Sequence, residues 1–185
     1  MKRILLLLWL LASSCSGLQA QRTTLRTNLL FWGTTTPNAG VEFSLGRNFT
    51  LVLDGGYNAW EFSNDMKLNL AFAQPEIRYW FCRRFEGHFI GLHGHYAHFN
   101  IGQIDFIPCM KEYVYRGNLY GGGISYGYHW AMGDRWGMEV TVGGGYVQLS
   151  YDKYLCRDCG ERVGQFKRTY FGPTRAGISL IYFLR

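Results

Sequence analysis

The chain has 185 residues, of which 17% are aromatic and only 17% charged, with 24 glycines and a net charge of +6. Past the N-terminus no segment approaches the roughly 18 apolar residues of a spanning helix, which excludes a helical membrane protein. No basic run is present, so nothing points to a nucleic-acid partner. Many aromatics, many glycines and few charges suit a β-protein in contact with lipid. Such a protein must close into a barrel, because lipid tolerates no unpaired strand edge.

The N-terminus reads as a cleavable signal peptide: Lys2 and Arg3 are the positive region, Ile4 to Ala12 the apolar region, and small or polar residues lead to a cut after Ala20. The expected organisation is residues 1–20 as leader and 21–185 as one barrel domain. Loss of Lys2 and Arg3 takes the net charge from +6 to +4. The rival reading is a lipoprotein cut before Cys15, although Ala12-Ser13-Ser14 departs from the Leu-first lipobox.

Period-two alternation then marks eight strands, each near the 9–11 residues that cross a bilayer when tilted. The first runs near Thr24 to Trp32, with Leu25, Leu29 and Phe31 outward and Arg26 and Asn28 inward. The second (Ala39 to Leu45) turns Glu42 and Ser44 inward, the third (Phe49 to Asn58) Asp54 and Gly56, and the fourth (Ala71 to Phe81) Gln74, Glu76 and Arg78. The fifth (His88 to Phe99) turns in Gly91, His93 and His95; the sixth (Tyr120 to Trp130) Gly123, Ser125, Gly127 and His129. The seventh (Trp136 to Leu149) turns in Glu139, Thr141, Gly143 and Gly145; the eighth (Thr174 to Leu184) Arg175, Gly177 and Ser179.

The connections alternate in length. Gly46 to Asn48, Cys82 to Gly87 and Gly133 to Arg135 are short; Trp60 to Leu70, Asn100 to Leu119 and Ser150 to Thr169 are long and polar; Gly33 to Asn38 is the short exception. Short periplasmic turns and long outer loops are the pattern of an outer-membrane barrel with both termini periplasmic. Aromatics at strand ends suggest two interfacial girdles: Trp80, Phe81, Trp130 and Trp136 near the short turns, and Phe31, Trp32, Tyr57, Trp60, Phe99, Tyr120 and Tyr146 near the outer ends. Arg175-x-Gly177-x-x-Leu180-x-Tyr182 resembles the C-terminal signal read by the barrel-assembly machinery, a partner expected during insertion.

An eight-stranded bore is about wide enough for side chains to fill it. The inward Arg26, Arg78 and Arg175 should therefore pair with Glu42, Asp54, Glu76 and Glu139 in a structural charge network, since unpaired buried charge is costly. Inward His93 and His95 read as partners of those carboxylates; with His129, Glu76 or Glu139 they are alternatively a metal or acid/base site. The His-x-Ser strand motif of lipid A-trimming barrels is missing, since Trp130 and Ala131 follow His129, and there is no Gly-x-Ser-x-Gly elbow. Cys109, Cys156 and Cys159 fall in outer loops and suit a disulfide or free thiols better than zinc, while Cys82 falls in a periplasmic turn. Gly121-Gly122-Gly123 and Gly143-Gly144-Gly145 precede no helix pattern, which removes a phosphate-loop reading.

Thr27 to Trp32, Pro75 to Phe81, Gly122 to Tyr128, Tyr151 to Tyr154 and Tyr170 to Gly177 together resemble the domain of unknown function 3575 family, small secreted proteins of Gram-negative anaerobes. The likeness covers nearly the whole mature chain. It implies an outer-membrane barrel encoded near fimbria-like surface proteins and assigns no residue a role. The sequence thus predicts an all-β, eight-stranded antiparallel up-and-down transmembrane β-barrel. It should be non-enzymatic and cofactor-free, lie in outer-membrane lipid, and present its outer loops to a surface or fimbrial protein. Two alternatives remain: an outer-membrane enzyme acting on lipid or through a lumenal metal, and a secreted lipocalin-like small-ligand binder with the opposite facing.

Overall fold

A computed structural model describes residues 23–61, 67–102, 114–154 and 162–184. The expected leader, Cys15, Cys109, Cys156 and Cys159 lie outside the described residues.

The elements are β1 (Thr23–Asn28), α1 (Leu29–Gly33), β2 (Asn38–Ser44), β3 (Phe49–Glu61), β4 (Lys67–Trp80), β5 (Gly87–Gly102), β6 (Val114–Met132), β7 (Trp136–Tyr154) and β8 (Arg162–Leu184). Each strand runs antiparallel to the next. β8 returns to β1, from Thr23 opposite Leu184 to Asn28 opposite Ser179, so the sheet closes into an eight-stranded up-and-down barrel with no free edge. The alternation read from the sequence sets the two faces. Along β4, Gln74, Glu76, Arg78 and Trp80 are buried while Ala73, Pro75, Ile77 and Tyr79 are exposed. The outer face carries the exposed large apolar side chains, among them Leu53, Ile77, Leu92, Ile124, Val142 and Ile178.

β1 is shorter than predicted. It ends at Asn28, whose side chain accepts from the Leu30 N–H at 3.1 Å and caps a five-residue helix. Asn38 locks this corner, its Oδ1 accepting from the Asn28 N–H at 2.7 Å. Leu29 and Phe31 satisfy strand alternation equally well, but here Phe31 folds over the barrel mouth onto Phe72, 4.6 Å between ring centroids.

The later strands are longer than predicted. β6 and β7 have 19 residues and β8 has 23, so the ends of the polar "loops" Asn100 to Leu119 and Ser150 to Thr169 are paired sheet. Pairing there rests on backbone hydrogen bonds and on cross-strand aromatics, Tyr115 with Tyr151 and Tyr151 with Phe166, rather than on an apolar face. The barrel therefore rises high along β6–β8 and stays low along β1–β2.

Two aromatics assigned to the girdles point inward instead. Trp80 is fully buried and Phe99 nearly so, because each shares the parity of the inward residues on its strand. Phe81, Trp130, Trp136, Trp32, Tyr57, Tyr120 and Tyr146 are exposed on the outer side.

Candidate functional site: a charged lumen closed at one end

Trp80, Phe85 and Phe89 form a buried cluster at the short-turn end, with Phe183 packed on it. Phe85 reaches this position from the β4–β5 turn with a φ of 62°, a left-handed conformation unusual for a bulky residue. Burial of its ring, 3% exposed, against Trp80 and Phe183 holds it there. Trp80 Nε1 donates to Thr50 Oγ1 at 2.9 Å, so the plug leaves no indole N–H unpaired.

Above the plug all seven predicted charges meet. Arg78 grips Glu139 with both terminal nitrogens, at 2.8 and 3.0 Å, and donates through Nε to Glu76 at 2.7 Å. Its guanidinium lies 4.2 Å from the Phe89 ring centre, joining plug and network. Arg26 donates to Glu139 at 2.6 Å and to Glu42 at 3.3 Å, and its Nε lies 3.3 Å from Asp54. Arg175 bridges Asp54 at 2.7 Å and Glu76 at 3.2 Å. Hydroxyls complete the acceptors' shells, Thr50 on Glu42 at 2.6 Å, Thr141 on Glu139 at 2.7 Å and Ser125 on Glu76, while Ser179 Oγ accepts from Arg26 at 3.2 Å. Ser125, Thr141 and Ser179 carry the inward parity in the sequence, but their roles do not show there. Thr50 was signalled by parity alone, four residues before Asp54.

Glycine makes the room. A Cβ at Gly91 would collide with the Glu76 carboxylate and the Ser125 hydroxyl, neither able to swing away while Arg78 and Arg175 hold Glu76. Gly91→Ala is expected to cost about 1–3 kcal/mol through overpacking, read as a lower urea-unfolding midpoint. Gly33→Ala, where nothing lies within 4 Å, should leave it unchanged.

His93 and His95 lie in the lumen, but neither bonds a carboxylate. His93 Nε2 bonds Thr174 Oγ1 at 2.9 Å rather than a carboxylate, and His95 lies beside it with 5.8 Å between ring centres. Glu76 stands opposite His93 in the ladder, but its oxygens are taken by Arg78, Arg175 and Ser125. His129 sits edge-on to Trp80 in the plug. Among the described residues no group of three or more His, Cys, Asp or Glu is placed to hold a metal ion. Thr174 reaches His93 because β8 carries an extra residue there: Gly143 pairs with Arg175 and Gly144 with Pro173. At the other end of the lumen a polar pocket of about 60 Å³ remains, lined by Asn38, Gln74, Thr141 and Arg175 beneath Phe31 and Phe72. That is room for a few waters. Cys82 is an exposed free thiol in the β4–β5 turn.

The geometry defines a closed up-and-down β-barrel whose bore is filled by ion pairs and sealed by aromatics. The chain belongs to the family described as "Protein of unknown function (DUF3575)", whose model matches residues 4–184. No curated protein and no solved structure matches it.

Proposed function

We propose that this chain is a non-enzymatic outer-membrane β-barrel of a Gram-negative cell, exported by its leader. In this reading the lumen is a structural core, and the raised β6–β8 wall with its loops meets a surface or fimbria-like protein. The observation that carries the reading is the inverted facing: charges buried inside, large apolar side chains exposed outside. Exposed apolar surface on this scale marks a face covered by something else, and in a barrel wall that cover is lipid. A lipocalin-like soluble barrel has the opposite facing.

The dimensions agree. Along β7 the outward aromatics Trp136 and Tyr146 stand ten residues apart, with only apolar or glycine residues at the outward positions between them. That is about 34 Å of strand, or about 26 Å of height at the usual tilt, close to the apolar band of such barrels. The 19 to 23 residues of β6–β8 exceed a crossing and carry sheet beyond the band. Binding residues concentrate on loops held by a rigid scaffold, and the unequal rim provides such a scaffold.

Cell fractionation with gels of heated and unheated samples tests this. The protein is expected in the outer-membrane fraction, running faster unheated than heated. Shortening the β6–β7–β8 rim should then abolish surface binding or fimbria display while the heat-dependent shift persists; unchanged display would count against the interaction role.

A further inference from the structure

The outer wall of the barrel is dented across β4, β5 and β6. On its outward face Pro75 of β4, Gly94 of β5 and Gly122 of β6 lie side by side, Gly94 directly opposite Gly122. None of the three projects a long side chain. Ala73 pairs with Tyr96 and Glu76 with His93 in one continuous register, yet the two residues between on each strand, Gln74-Pro75 and Gly94-His95, drop out of the ladder. Proline supplies no N–H for it. The result is a trough of about 610 Å³ around Pro75, Gly94 and Gly122, walled by Leu51, Ile77, Leu92 and Ile124. Glu76 and His93 also border it, but their side chains turn into the lumen, 1% and 2% exposed. Leu92 and Ile124 stand 66% and 59% exposed beside the dent.

We propose that this trough is a binding site for one acyl chain of a membrane lipid; the proposal rests on the membrane reading above. The outward-facing lining side chains carry no hydrogen-bonding or charged group, so the occupant is apolar. The volume is that of a small-molecule site. Missing one outward side chain leaves about 13 Å between the Cα atoms of Leu92 and Tyr96, which the flanking side chains narrow further. That suits a polymethylene chain and not a helix, which is about 10–12 Å across. The trough opens at the outer edge of the apolar band, where Gly122 pairs with Tyr146, so its occupant comes from the bilayer.

Gly94 is the position at which to fill the trough. A Cβ there meets only Gly121 O at 3.8 Å and Pro75 Cγ at 3.9 Å, ordinary contacts. The test is native mass spectrometry, with lipid extraction, on full-length protein released from membranes in mild detergent. Wild type is expected to retain one acyl lipid per chain. Gly94→Leu should lower that occupancy about tenfold, through lost methylene contacts, with the heat-dependent gel shift intact. Ala39→Leu, which adds the same bulk on the outer face of β2, should retain the lipid. The double variant Leu92→Ala/Ile124→Ala, which removes two walls without filling the dent, should also lose it and serves if Gly94→Leu does not fold. Membrane-borne wild type that carries no lipid overturns the site. Retention at the wild-type level in both Gly94→Leu and the double variant also contradicts it, and so does a Gly94→Leu effect on self-association in place of lipid, which would make the occupant a second copy. Wild type that stays soluble without detergent overturns the membrane reading itself, and the site with it.

Discussion

Replacing Arg78 with leucine is expected to destabilise the barrel by about 3–5 kcal/mol, the range for removing one partner of a buried ion pair. Arg78 is fully buried and, among the described residues, it alone joins Glu139, Glu76 and Glu42. Without it three carboxylates share Arg26 and Arg175, neither of which reaches all of them. Glu139→Gln should also destabilise, since Arg26 and Arg78 donate to both of its oxygens and the amide keeps only one acceptor oxygen, carries no charge and turns an NH2 toward a guanidinium. The double variant Arg78→Leu/Glu139→Gln should cost clearly less than the sum of the two, because each change removes the other's unpaired charge. Urea titration in detergent, read by the gel shift, measures all three. Additive costs would mean that the two side chains do not act as a pair.

The second large effect concerns the opposite face. Val142 is 58% exposed on β7, close to midway between Trp136 and Tyr146. On a soluble barrel, arginine there would be nearly neutral, as surface substitutions usually are. On a wall facing lipid it should cost about 2–4 kcal/mol, the penalty for arginine near the middle of the bilayer. Refolding Val142→Arg into lipid vesicles and comparing its urea midpoint with wild type separates the two. The same substitution at Lys167, on the raised part of β8, should change little.

Much of this arrangement can be read from residue parity. Glu42, Glu76, Arg78 and Glu139 each stand between apolar neighbours, Arg26, Asp54 and Arg175 have one beside them, and a charge of that parity on a barrel strand has only the lumen to enter. Parity also places Trp80 and Phe99 inside, but an aromatic near a strand end equally suggests a girdle, and composition cannot separate the two. Asn28 shows why the alternation extends β1 too far. Leu29 and Phe31 fit a strand or one turn of helix equally, and the choice is made by the Asn28 and Asn38 hydrogen bonds, which depend on β1 and β2 already being adjacent. The upper halves of β6 to β8 look like loop because neither face there is uniformly apolar, so the alternation fades although the backbone pairing continues. The meeting of His93 with Thr174 depends on a one-residue bulge on a strand far away in sequence. The sequence hint of that bulge is Gly172-Pro173, which marks an irregularity without its direction.

The most direct test of the inverted facing is a nitroxide scan of Val140, Thr141 and Val142, one at a time, in protein reconstituted into vesicles with its native cysteines changed to serine. Oxygen, which concentrates in the bilayer, should relax labels at Val140 and Val142 strongly, while a water-soluble nickel chelate leaves them untouched. A label at Thr141 should be shielded from oxygen, because it faces the filled lumen. Strong relaxation by the nickel chelate at Val140 and Val142 would contradict the account, since it would place the apolar face of the barrel in water.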